Sequence, residues 1–163
     1  MPNPDKPSGF RASPLGNVSV FKKDASSAAI YPGDMFIAEA DGFVDVAAAG
    51  STALVGSAVS YAVASVAGSI RGCDDPSQVY IAQDDGSATP VQDNVTHNCD
   101  IVATAGSSAL NQSRQEIDIS SAATTAAQMR MLEVLAHPEY ALGINSLWKC
   151  VMNEHYIRTT TAI

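Results

Sequence analysis

The sequence predicts an all-β protein: a small antiparallel β-barrel or β-sandwich with one short helix and an extended N-terminal arm. Three observations carry that prediction. About nine short runs of alternating apolar and polar residues recur along the chain, separated by turn-forming residues. Aromatics are 6% of the residues although 46% are apolar, so the core must be built largely from small and β-branched side chains, which suit close-packed sheets. The third observation is Val46–Ile70, twenty-five residues without a charge. Its length suits a membrane span, but only eight of its residues are large and apolar, and Gly, Ser and Thr interrupt throughout. The bulky residues also miss the i, i+3, i+4, i+7 spacing of a helix. Val55, Val59, Tyr61 and Val63 share one parity, while Gly56, Ala58, Ser60, Ala62 and Ala64 share the other. Leu54–Ala67 therefore reads as one long strand with a bulky face and a small face, bent near Ser57 or Ser65.

Residues 1–16 carry four prolines and two glycines, which exclude a helix and keep the backbone extended. They read as an arm ahead of a single β-rich domain, residues 17–163. The arm's large anchoring side chains are Phe10 and Arg11, and its two readings are a loose tail or a segment ordered on a partner, with Phe10 filling a pocket there. Asn17–Lys22 alternates as a first strand, and Lys23–Ser27 follows as a polar turn. Tyr31-Pro32-Gly33-Asp34 has turn chemistry. Asp34–Ala38 and Gly42–Val46 then form a hairpin about Asp41-Gly42.

After the long strand, Gly72–Pro76 is a polar break and Gln78–Gln83 a short strand ended by Asp84-Asp85-Gly86. Thr89-Pro90 offers an N-cap and a first helical residue, placing one or two helical turns over Pro90–Thr96. Asp100–Ala103 and Gln115–Ile119 read as strands around a small-residue loop, Gly106–Gln112. Ser120–Leu135 stays open between helix and strand, with a turn and a strand over Met129–Ala136 preferred and Pro138 ending it. Ser146–Ile157 alternates, with Trp148, Cys150 and Met152 on one side.

Composition narrows the function. With one domain's length and a net charge of −8, the surface repels phosphate backbones and anionic membranes, so neither nucleic acid nor a membrane is an expected partner. No basic stretch precedes an apolar run at the N-terminus, and the three cysteines are widely spaced, which suits a protein made in a reducing cytoplasm. His97 and Cys99 form an H-x-C pair, with Cys73, Cys150 and His155 as the other candidates to converge on it, but no metal-ligand spacing supports such a site. Buried free cysteine behaves as a small apolar residue, and that reading is preferred. Asp74-Asp75 and Asp84-Asp85 lack the alternating ligands of a calcium loop and read as solvated turns. No nucleophile elbow, phosphate loop or dinucleotide fingerprint is present. Neither a catalytic residue nor a cofactor or metal site is assigned, and the chain is read as a non-enzyme.

Several segments taken in order carry a likeness. Asn3–Arg11 (NPDKPSGFR) resembles the N-terminal arm of phage capsid decoration, or cement, proteins; where that arm often continues with proline, this chain has Ala12. The likeness continues at Asp74–Asp85 (DDPSQVYIAQDD), Asn98–Val102 (NCDIV), Ile117–Thr125 (IDISSAATT), the turn His137–Tyr140 (HPEY) and Met152–His155 (MNEH). The resemblance implies a virion structural protein on the outer face of an assembled head, made in the host cytoplasm. It further implies a protein that clamps neighbouring major capsid protein subunits, commonly as a homotrimer. Carried onto this chain, the capsid-contact arm comprises Pro4, Asp5, Pro7, Phe10 and Arg11. Two rival readings are a tail-tube subunit, which is also small, acidic and β-rich, and a carbohydrate-binding sandwich. The second is disfavoured because Trp148, in an alternating strand, reads as core rather than as a sugar platform.

Overall fold

The computed structural model describes residues 2–158; Met1 of the expected arm and residues 159–163 of the expected domain lie outside them. The all-β prediction holds, and the architecture is two five-stranded antiparallel sheets rather than a closed barrel. In chain order the strands are β1 (Arg11–Ala12), β2 (Val18–Lys23), β3 (Met35–Ala38), β4 (Val44–Val46), β5 (Leu54–Ala58) and β6 (Gly68–Cys73). They continue as β7 (Val79–Gln83), β8 (Asn98–Cys99), β9 (Ile101–Val102), β10 (Glu116–Ile117), β11 (Met129–Val134) and β12 (Leu147–Met152). One sheet has the order β1-β7-β12-β11-β8, the other β2-β6-β5-β3-β4, and β9 and β10 pair separately.

Strand β12 shows why the first sheet forms. Trp148, Cys150 and Met152 are fully buried, while Leu147, Lys149 and Val151 are only half-buried. Trp148 lies opposite Ala82, Cys150 opposite Tyr80 and Met131, and Met152 opposite Met129. The register of β11 against β12 shifts after Met131, and Leu132, left out of the pairing, is exposed. This inward face meets Met35, Ala47 and Leu54 from the second sheet in one buried cluster.

The second sheet has an apolar cluster on its other side as well. Ile30, Phe36, Val44, Val55 and Ile70 gather there with half-buried Phe21 and Val46. Every residue of β5 is therefore buried, Leu54 in one cluster and Val55 in the other. Lys23 is buried too, 1% exposed, where a polar turn is expected. Its Nζ donates to the carbonyls of Asp24, Ser27 and Val66 at 3.1, 3.1 and 3.4 Å, which replaces part of the lost hydration.

Three expectations need correction. Leu54–Ala67 is not one strand: β5 ends at Ala58 and the chain returns as β6 from Gly68. The intervening residues turn by bridging Ile30 to Ala62 and by placing Ser65 at φ 55°. The small parity marks a close strand approach, since a Cβ on Gly56 would lie 1.9 Å from the Cys73 carbonyl oxygen. The expected short helix is one 3₁₀ turn, Gln92–Asn94, entered from Val91 instead of Thr89; the Val91 amide donates to Asn94 Oδ1 at 2.7 Å. Two further 3₁₀ turns, Ile119–Ser121 and Tyr156–Arg158, replace the predicted ends of strands.

Candidate functional site: the N-terminal strap and its cradle

Residues 2–8 run extended along the outside of the domain and are held by amide side chains. Asn3 Nδ2 donates to the carbonyls of Ala141 and Ile144 at 2.8 and 2.9 Å, and its Oδ1 accepts from the Ala141 amide at 2.9 Å. Gln83, 3% exposed at the end of β7, grips the next stretch from both ends of its amide. Its Nε2 donates to the Pro4 carbonyl at 2.7 Å and its Oε1 accepts from the Lys6 amide at 2.9 Å. Gln112 Nε2 donates to the Pro7 carbonyl at 3.3 Å. Prolines at 2, 4 and 7 have no amide hydrogen to satisfy, so this sparse set of bonds suffices.

The strap ends at a fixed point. Gly9 has φ 72°, and a Cβ there would meet the Gly33 carbonyl oxygen and the Ser113 side chain at 2.4 Å. The next residue, Phe10, is wholly buried in the main core cluster. Its amide donates to the Gly33 carbonyl at 2.8 Å, and its carbonyl accepts from Ser57 Oγ at 2.5 Å. Arg11 and Ala12 then pair with Ile81 and Tyr80. The expectation that Phe10 fills a partner's pocket is thus corrected, because its ring fills the chain's own core. Of the five predicted contact residues, Asp5 and Arg11 are exposed, Pro4 and Pro7 are half-buried beneath the clamps, and Phe10 is structural.

Two shallow grooves flank the strap. One, of about 430 Å³, is lined by Asp5, Lys6, Pro7, Leu110, Gln112 and Arg114 among others. The other, of about 570 Å³, lies against Pro138, Glu139, Tyr140 and Ala141. The fold therefore brings together the arm and the His137–Tyr140 turn, whose rings pack edge to face 5.4 Å apart. Leu110, Leu142 and Ile144 stand exposed on the loops at either side.

Carboxylates gather beneath. Asp84, read from the sequence as a solvated turn residue, is fully buried. It accepts from Trp148 Nε1 at 3.2 Å and from the Ser146, Asn145 and Gly86 amides at 2.7, 2.9 and 3.1 Å. Burial raises its carboxyl, and these donors oppose the rise. Glu116 is half-buried; burial together with Asp5, Asp85 and Asp84 pushes its carboxyl up to about 7, against the pull of Arg114. No signal in the sequence reveals the burial of Asp84, because three of its four donors, on Asn145, Ser146 and Trp148, lie more than sixty residues away.

The other candidates do not converge. Cys73, Cys99 and Cys150 are buried free thiols, all pushed up by burial. Among the described residues no group of three or more His, Cys, Asp or Glu is placed to hold a metal ion. His155 is buried, with Nε2 at 3.1 and 3.2 Å from the Val55 and Asp74 carbonyls. No protein family, curated protein or solved structure matches this chain. Among the described residues no helix is long and apolar enough to cross a membrane.

Proposed function

We propose that this chain is a capsid decoration protein, which binds the outer face of an assembled phage head and clamps neighbouring major capsid protein subunits, without catalytic activity. The observation that carries the reading is the strap. An extended, proline-stiffened segment, clamped by the side-chain amides of Gln83 and Gln112 and rooted at Gly9, exchanges contacts with a neighbour at small ordering cost. The likeness of the arm and of the His137–Tyr140 turn to cement proteins supports the same face, because the fold places those two segments side by side. Attachment as a homotrimer multiplies weak contacts into avidity, and a ligand that binds only the assembled shell stabilises it by mass action. The buried Trp148 weakens the carbohydrate reading, since the chain's one tryptophan is not available to stack on a sugar.

The test is co-sedimentation with undecorated heads of the full chain and of a chain lacking residues 2–8, together with native mass by light scattering. The full chain is expected to saturate the heads as a trimer and the shortened chain to bind much more weakly. Equal binding by both chains sinks the strap as the contact. Absence of head binding by the full chain, with hexameric rings or tubes in solution, transfers the assignment to a tail-tube subunit.

A further inference from the structure

We infer that the free edge of β2 docks one extended strand of another protein, a strand carrying an apolar and an acidic residue two positions apart. This surface is separate from the strap and does not depend on the proposed function. Strand β2 ends the second sheet and pairs with β6 alone, in unbroken register from Val18 opposite Cys73 to Lys23 opposite Gly68. Which of its backbone groups are used follows from β5. The Val59 amide donates to the Arg71 carbonyl at 2.8 Å, so the Arg71 backbone faces β5, while Ile70 and Gly72 face β2. Their opposites, Phe21 and Ser19, bond to β6, which leaves the amides and carbonyls of Val18, Val20 and Lys22 directed outward. Among the described residues nothing bonds to these outward groups.

The other sheet ends are closed. Strand β8 has two residues, and Asn98 exchanges both backbone bonds with Ala123 on its far side. Strand β4 has three, with the Val46 amide and the Val44 carbonyl taken by the Asp45 and Ser27 side chains. Strand β1 has two and runs on into Pro14. By contrast β2 has six residues with neither a proline nor a bulge, the devices that usually blunt an edge. Its side chains select the occupant. Val20 is 65% exposed and lies opposite exposed Arg71, with exposed Lys22 two positions along the same face. The Lys22 ammonium reaches Ser69 Oγ at 3.2 Å, and neither cation joins an ion pair among the described residues. In a chain of net charge −8, two unpaired cations around an exposed valine favour an apolar residue opposite Val20 and a carboxylate opposite Lys22. A second copy brings the same cations to the seam, and like charge disfavours it.

The experiment is amide hydrogen exchange on the full chain, titrated with a capped threonine-rich peptide that holds valine and, two positions on, glutamate. A control peptide carries lysine for that glutamate. At saturation the glutamate peptide is expected to slow exchange at Val20 and Lys22 roughly tenfold, while Ser19 and Phe21, already bonded to β6, stay unchanged. The lysine peptide is expected to bind roughly tenfold more weakly. Lys22→Glu, on an exposed side chain, is expected to keep the fold and reverse that preference. Val20→Pro removes an outward amide that β6 does not use, and is expected to abolish binding of either peptide. The docking edge is wrong if the glutamate peptide protects no β2 amide, if both peptides bind alike, or if Lys22→Glu leaves the preference unchanged. It is equally wrong if folded Val20→Pro binds as the unaltered chain does. A native mass that shows a dimer of the unaltered chain and a monomer of Val20→Pro makes a second copy the occupant and overturns the proposal.

Discussion

Replacing Phe10 with alanine separates a strap rooted in its own domain from an arm waiting for a partner. The ring is wholly buried in the cluster that also holds Met35, Tyr80 and Trp148. Losing its transfer free energy and leaving a cavity costs about 3–5 kcal/mol. In a chain of 163 residues that lowers Tm by roughly 6–20 °C, at about 2–4 °C per kcal/mol. Urea unfolding followed by the fluorescence of Trp148 reads the change within the same cluster, and the slope with denaturant is expected to stay constant. A chain lacking residues 2–8 is the control. It forfeits the hydrogen bonds of Asn3, Gln83 and Gln112 together with the entropic cost of ordering seven residues, and is expected to lose much less than the Phe10 variant. By contrast, removing residues 1–16 takes Phe10 and β1 with it and is expected to unfold much of the domain. If Phe10→Ala costs less than about 1 kcal/mol, the ring is not part of this core and the partner-pocket reading returns.

Three further outcomes follow from buried polar groups. Lys23→Met keeps the stem and removes the ammonium, leaving the Asp24, Ser27 and Val66 carbonyls short of a donor; a loss of about 2 kcal/mol in urea unfolding is expected. Asp84→Ala strips the acceptor from Trp148 Nε1 and the Ser146 and Asn145 amides, and is expected to cost about 3 kcal/mol and to alter Trp148 fluorescence. The three thiols, buried and held protonated, are expected to react with a thiol reagent far more slowly in the native chain than after unfolding, when all three titrate.

The readable parts of this fold are those whose side chains alternate against a single core. Strand β12 announces itself because Trp148, Cys150 and Met152 must all point inward, and β11 follows from Met129 and Met131. The β5–β6 hairpin stays hidden for a physical reason. Its connecting loop has no Pro, Asn or Asp to mark the reversal, and alternation of small and bulky residues runs through it, so parity extends the strand. The reversal is specified by tertiary bonds, from the Ile30 and Ala62 backbones and from the Ser65 amide to the Ser27 carbonyl at 3.2 Å. The outcome leaves Tyr61 and Val63 exposed where a buried face is expected. Lys23 is misread because a charge at the end of a strand looks like a turn; its parity with Phe21 sends the stem inward, and distant carbonyls make that tolerable. The arm is half readable. Proline density correctly predicts an extended segment, but whether Phe10 finds a pocket at home or on a partner depends on Gly33, Ser57 and Ser113, which no local pattern connects to it.

His155 and Glu116 pull stability in opposite directions with pH, and the contrast is testable. His155 Nδ1 accepts from the Ile157 amide at 3.2 Å, so the neutral ring carries its proton on Nε2 and offers it to the Val55 and Asp74 carbonyls. Burial lowers its pKa below the ordinary 6.5. The unfolded chain then takes up the proton first as pH falls, so the contribution of neutral His155 is present above about 6.5 and is lost on acidification towards its depressed folded value. Glu116 is raised, so its contribution is complete below about 4.5 and is lost as pH rises through about 7. Asp34 and Asp84, also raised by burial, act in the same sense as Glu116, and the raw stability profile therefore mixes both signs. Differences against variants isolate each group. Between pH 7.5 and 5.5, the stability advantage of the unaltered chain over His155→Gln is expected to shrink, and its deficit against Glu116→Gln is expected to shrink as well. The first difference reports the clamp between β5 and the tail at His155, and the second reports the burial of the Glu116 carboxyl beside β10. An advantage over His155→Gln that grows on acidification would mean that the ring is charged in the fold, and the proton assignment on Nε2 would have to be abandoned.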